Sequence, residues 1–191
     1  MKFYKEPIFY MKSYFANITS ACVLIMLIVM ILANKSYAQI SESEAKATWI
    51  HTLIPYIKWQ TRSDKKITIC TIGQEGVFPS LEKIIKEEKL DNSNVEPIYV
   101  KRSPDNSDFK ECHMLYVSIS EAGNVVGILD KTNAKGILTI SSTKDFADKG
   151  GVVEFVVKGE GLKLRINTKA AQNQNIIIDS DLLGFAETVS K

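Results

Sequence analysis

Histidine and cysteine are scarce in this chain, with two of the first and three of the second among 191 residues. His51 and His113 lie far apart, and neither shows the paired spacing of a zinc site. Neither has the serine and aspartate setting of a hydrolytic triad. No G-x-G-x-x-G, P-loop or G-x-S-x-G elbow occurs, and Gly73-Gln74-Glu75-Gly76 is too short for the first of these. Acidic neighbours such as Glu87 with Glu88, or Asp179 with Asp181, fall on expected helix surfaces and caps. They read as solvated or capping groups rather than as a catalytic pair. These absences predict a non-enzymatic protein with no catalytic residues, no metal site and no cofactor.

A charge excess is also missing. The formal net charge is +2, but Lys2, Lys5, Lys12 and Lys35 stand against a lone Glu6 in the first 38 residues. From totals of 24 basic and 22 acidic residues, that leaves 20 and 21 for the remainder. With no basic cluster interleaved with aromatics, the electrostatic footprint of nucleic-acid binding is absent.

One long apolar run is present. Residues 21–32 (ACVLIMLIVMIL) are unbroken and Ala33 continues them. A membrane span takes about 20 such residues, whereas a run of this length suits the core of a secretory signal. Lysines precede the run and Ser36-Tyr37-Ala38 follows it, so residues 1–38 are expected to be a signal peptide cleaved after Ala38. Initiation at Met1 makes the basic region long, and Met11 would give more usual proportions. Cys22 opens the apolar run rather than following it, which argues against lipid attachment there. Residues 39–191 are then one domain, large enough for a sizeable core.

Two cysteines remain in that domain, Cys70 and Cys112. An even number in an exported chain favours a disulfide, with two separate buried thiols as the alternative. Cys70 ends one apolar run and Cys112 precedes another, residues 114–117. If these runs are adjacent parallel strands, their ends come close enough to bridge.

The order of elements follows from periodicity. Ala47, Ile50, Leu53, Ile54 and Ile57 have helical spacing, with Ser41 or Ser43 as cap and an end near Ile54 imposed by Pro55. Strands are expected at residues 66–71, 95–101, 114–119 and 137–140, and an amphipathic helix at 78–90 carries Leu81, Ile84 and Ile85 on one face. Pro97 marks an edge strand. A weak helix is expected over residues 121–131. Residues 152–157 and 162–166 flank a glycine-bearing turn and read as a hairpin. A short helix from Thr168, a buried segment at 176–178 and a last helix capped by Asp181 complete the chain. This order predicts an α/β, Rossmann-like three-layer domain with a mostly parallel sheet and an antiparallel hairpin at 152–166 forming its edge.

Three stretches taken together resemble the YfiR family, also called the DUF4154 domain. The first runs from Ala45-Lys46-Ala47 to Ile57-Lys58-Trp59, where Gln60 replaces the family's usual proline. The second is the Cys70 strand with Cys112-His113-Met114-Leu115-Tyr116-Val117. The third joins Phe146, Gly150-Gly151, Leu164-Arg165-Ile166-Asn167, Ala170-Ala171, Ile178-Asp179-Ser180 and Leu182-Leu183. The resemblance implies a periplasmic, non-enzymatic regulator that restrains the outer domain of an inner-membrane signalling protein such as a diguanylate cyclase. The alternative is a periplasmic module that binds a small-molecule ligand and needs no membrane partner. Homodimerisation stays open under both readings. Some members of the family carry a second disulfide near the double glycine; this chain has no cysteine there.

Three residues are candidates for contact with other molecules. Arg165 and Asn167 alternate onto one face of a strand end, where they would orient a small ligand, although Asn167 also suits the cap of the following helix. Trp49 lies off the main apolar face of its helix and is the candidate partner contact. Trp59 is assigned to the core.

Overall fold

The first helix begins where its sequence supplies both halves of a reciprocal cap. The Ser41 hydroxyl accepts from the Glu44 amide at 3.2 Å, and the Glu44 carboxylate accepts from the Ser41 amide at 3.0 Å. Helix α1 (Glu42–Leu53) buries Lys46, Ala47, Ile50 and Leu53 along one stripe. Pro55 ends it through a 3-10 turn (Ile54–Tyr56). The computed structural model describes residue 26 and residues 40–62, 66–91, 98–103, 108–159 and 161–189. The chain divides into two units, Met1–Gln39 and Ile40–Lys191. In the first only Met26 is described, so the expected leader and the cleavage point after Ala38 lie outside the described residues. No helix among the described residues is long and apolar enough to cross a membrane.

After α1 the chain runs through β1 (Ile57–Trp59), β2 (Ile67–Ile72), α2 (Val77–Asp91), β3 (Ile98–Arg102) and β4 (Met114–Val117). A 3-10 helix (Ile119–Asn124) leads into α3 (Val125–Thr132), then β5 (Leu138–Ser141), β6 (Val153–Lys158) and β7 (Gly161–Asn167). The chain continues as α4 (Thr168–Asn173), β8 (Ile176–Ile178), α5 (Ser180–Phe185) and β9 (Glu187–Val189). The main sheet has seven strands in the order β3-β2-β4-β5-β6-β7-β9, and β1 pairs with β8 in a separate two-stranded sheet. In the main sheet only β6 and β7 run antiparallel. The α/β, mostly parallel architecture and the hairpin are therefore those expected; the separate β1–β8 sheet and strand β9 were not, and three further details differ.

The antiparallel pair is not the edge, because β9 adds beside β7 in parallel. Residues 121–131 divide into a 3-10 helix and α3 rather than forming one helix. The cap of α5 is Asp179, whose carboxylate accepts from the Asp181 amide at 3.0 Å, two residues before the expected cap. Strand β3 does lie at the edge; Pro97 falls outside the described residues.

Alternation along the strands divides the core into two layers. On one face Ile69, Met114, Tyr116, Leu138 and Ile140 pack with Ala47, Ile50 and Leu53 of α1 and Val77, Leu81 and Ile85 of α2. On the other, Cys70, Ile72, Leu115 and Val117 pack with Val125 and Ile128 of α3. These faces give three layers, helix on sheet on helix. Burial on both sides explains the near-continuous apolar reading of β4. Strand β5 is buried throughout as well, but its α3-side positions are Thr139, which accepts from the Val152 amide at 3.0 Å, and Ser141, which donates to the Val117 carbonyl at 2.7 Å.

The β5–β6 connection closes on Phe146, which is fully buried. Gly151 lies against its ring so closely that a Cβ there would overlap ring atoms. Gly151→Ala is expected to destabilise the domain by about 1–3 kcal/mol, the usual range for forced overpacking. A urea midpoint unchanged within error would show that the ring gives way freely.

Candidate functional site

Strand β2 has β3 on one side and β4 on the other, and the crossovers through α2 and α3 lead away in opposite directions. Their divergence makes the carboxyl ends of β2 and β4 the topological switch point of the sheet, the place where open parallel sheets bind ligands. Here that place is filled by the chain's own polar groups.

Gly73 ends β2 with φ of 88°, a conformation that costs glycine little. A Cβ at this position would come within 2.5 Å of Ser120 Oγ and 2.7 Å of Ser118 Cβ. The turn after β2 thus closes onto the turn after β4, and the Gln74 amide donates to Ser120 Oγ at 2.9 Å. This closure holds Glu75 over the strand ends. Its carboxylate accepts from the Lys46 ammonium and from the Tyr116 hydroxyl at 2.8 Å, and the Ser118 side chain lies near enough to help hold it ionised. Tyr116 also meets Ser142 Oγ at 3.3 Å. Lys46 makes a second ion pair with Glu42 at 2.8 Å. The Lys46 side chain is only 3% exposed and that of Glu75 15%, so this pair lies within the protein. Thr71 sits opposite Tyr116 in the β2–β4 register, and its hydroxyl is buried with no hydrogen-bond partner among the described residues.

The charges respond to this arrangement. Burial pushes the Glu75 carboxyl up, but hydrogen bonds from Lys46, Tyr116 and Ser118 and the Lys46 charge outweigh it and hold it below the ordinary glutamate value. Burial pulls the Lys46 ammonium down, and its two carboxylate partners more than reverse this. Burial raises the Tyr116 phenol strongly, so it remains a proton donor at neutral pH. The sign for stability follows from the depressed Glu75 value. Its contribution is fully present above the unfolded value, about 4.3, and disappears as pH falls through the lower folded value. Glu75→Gln is expected to flatten the acid limb of stability against pH, read as urea midpoints between about pH 6 and about pH 3. An acid limb identical to that of the wild type would assign the loss to other carboxylates.

A second polar group lies at the same end of the sheet on the opposite face. Ile72, Val117, Ser141, Glu154, Arg165 and Glu187 form one continuous row of cross-strand neighbours. Arg165 binds Glu154 at 2.9 Å, Asp148 at 3.0 Å and Glu187 at 3.2 Å. Glu154 in turn accepts from the Asp145 and Ala147 amides at 3.1 and 3.0 Å. Asn167 caps α4 by accepting from the Ala170 amide at 2.8 Å, and its amide donates to the Ala147 carbonyl at 2.8 Å. The structure thus brings Arg165 and Asn167 together, each engaged in fixing the β5–β6 connection to β7.

Cys70 and Cys112 form a disulfide with a Cα–Cα distance of 5.7 Å. Both are buried in the α3-side core. Trp49 is half-buried and packs against the α1-side core. Trp59 packs there too, edge-on to His113 at 5.8 Å, with its indole nitrogen buried and without a hydrogen-bond partner among the described residues. No group of three or more metal-ligating side chains is assembled among the described residues.

Lys46, Glu75, Tyr116, Ser118, Ser142 and Thr71 were not candidates on sequence. One signal was present: Lys46 falls on the helical stripe that continues through Ile50 and Leu53. A charge on a buried stripe calls for a buried partner.

Comparison with known proteins bears on the fold and the family. A domain protein from Vibrio cholerae O1 biovar eltor matches with a TM-score of 0.52 at 14% identity, covering 78% of this chain and 60% of that one. A domain from Streptococcus pneumonia, described as an ABC domain in complex with L-Trp, matches over the same shares at 14% identity with a TM-score of 0.48. This chain therefore spans 60% of the length of each. The first likeness supports the α/β fold alone. No curated relative matches significantly. Residues 43–187, from the second residue of α1 to the start of β9, match the family model described as YfiR/HmsC-like (DUF4154). The chain belongs to the YfiR/HmsC-like family.

Proposed function

We propose that this protein is an exported, periplasmic and non-enzymatic regulator. It binds the outer domain of an inner-membrane signalling protein, such as a diguanylate cyclase, and holds it inactive. The observation that carries this reading is the family match across residues 43–187, which takes in nearly every element of the domain. The buried Cys70–Cys112 disulfide supports an oxidising compartment. The apolar run at residues 21–32, followed by Ser36-Tyr37-Ala38, supports export with cleavage after Ala38. Trp49 is the proposed partner contact, because part of its ring stays at the surface of α1.

The test is capture of the partner. The tagged full chain, expressed in its native host, is crosslinked in the periplasm and the membranes are solubilised. Recovery of one inner-membrane receptor, kinase or cyclase supports the regulator. Recovery of no membrane protein by a folded and abundant bait overturns it and favours a ligand-binding module.

A further inference from the structure

The junction at the carboxyl ends of β2 and β4 has the composition of an anion receptor whose occupant is part of the chain. The groups that converge on the Glu75 carboxylate are an ammonium, a phenol and a serine hydroxyl. Ser142 Oγ lies beside the phenol. Thr71, adjacent to Tyr116 on the same face, adds a buried hydroxyl that Glu75 does not reach. All of these groups can donate, and the acceptor at their centre is Glu75 itself. A buried hydroxyl without a partner is uncommon in a folded protein, and the Thr71 hydroxyl is available to a further acceptor.

Glu75 also differs from an ordinary core residue in how it is held. It rides on the short turn between β2 and α2, between Gly73 and Gly76. Its side chain retains contact with solvent while that of Lys46 has almost none. A swing of the Glu75 side chain toward solvent would withdraw the carboxylate while the turn itself stays anchored on Ser120. The Lys46 ammonium, fixed on the core stripe of α1, would stay behind with the hydroxyls.

We propose that this junction is a binding site for a small carboxylate ligand, which displaces Glu75 and takes its place among Lys46, Tyr116, Ser118 and Thr71. The ligand's carboxylate reproduces the bonds that Glu75 gives up, and its remaining polar atoms meet the Thr71 hydroxyl. Glu75 acts as a tethered competitor and sets the affinity. The site lies on the α1-side face of the sheet, whereas Arg165 and Asn167 lie on the other. It does not depend on the regulator reading.

The test uses the purified full chain, 15N-labelled, titrated with succinate and acetate against chloride at matched ionic strength. Saturable shifts of the Gln74, Glu75 and Gly76 amides with the carboxylates, and none with chloride, are expected. Glu75→Gln keeps the shape of the side chain but removes its charge, and should bind succinate at least about tenfold more tightly. Tyr116→Phe removes one donor and should weaken binding about tenfold with the fold intact. Equal shifts with chloride, or no saturable shift in either the folded wild type or folded Glu75→Gln, would overturn the proposal. Binding by Glu75→Gln alone would overturn it as well, since Glu75 would then fill the site permanently.

Discussion

Replacing Cys70 and Cys112 together by alanine is expected to lower the unfolding free energy by about 4 kcal/mol. The bridge spans 42 residues of sequence, and closing a loop of that length removes much of the freedom of the unfolded chain. Both sulfurs lie in the core beneath α3, so the bridge also fastens the start of β4 to the middle of β2. The loss is read as a shift in urea midpoint between the oxidised wild type and the double variant. A loss under about 1 kcal/mol would mean that the unfolded ensemble already keeps these segments close. For a domain with stability in the usual range of about 5–15 kcal/mol, the larger value is a substantial share.

The second large effect belongs to Lys46. Lys46→Ala is expected to cost about 3–5 kcal/mol, the range for removing one partner of a buried ion pair. Two losses combine in that figure. Glu75 is left partly buried without its cation, and the aliphatic stem of Lys46 no longer fills the stripe between α1 and the sheet. Lys46→Met retains the stem and separates the two. Combined with Glu75→Gln, it should recover much of the loss, giving a coupling energy of about 1–3 kcal/mol in a double-mutant cycle. Additive costs would show that the two side chains stabilise the fold independently.

The parts of this fold that were legible in the sequence are those written by local chemistry. Pro55 dictates the end of α1, the spacing of Leu81 and Ile85 gives the buried face of α2, and the glycines at 159 and 161 announce the hairpin. That the two cysteines of the domain pair was legible from their number and from the adjacency expected of their apolar runs. The geometry was not, because β2 continues past Cys70 to Ile72 and the bridge joins the middle of β2 to the residue two before β4. What escaped was defined by distant partners. Strands β1 and β9 have three residues each, too few for a period to register, and β8, whose bounds match the apolar segment expected at 176–178, buries only Ile176 while Ile177 is exposed. The cap of α5 went to Asp179, which leaves β8 in extended conformation and accepts from the Asp181 amide, so that Asp181 lies inside the first turn. Glu75 looked like a residue in a polar turn; only the neighbouring ends of β2 and β4 turn it toward Lys46 and Tyr116. The sequence marks where a buried charge sits, but its partner is chosen by topology.

The pairing of β1 with β8 sets an order of events for the newly made chain. Ile57 meets Ile178 and Trp59 meets Ile176, partners separated by about 120 residues. The Asp179 amide then donates to the Tyr56 carbonyl at 2.9 Å, and the Gln60 amide to the Asn175 carbonyl at 3.1 Å. The segment that follows α1 therefore cannot complete its pairing until residues 175–179 have been delivered. A chain emerging from its amino end cannot complete this seam on the way out. Any molecule that shields exposed apolar segments has that interval in which to act, and a truncation before residue 176 would make the interval permanent.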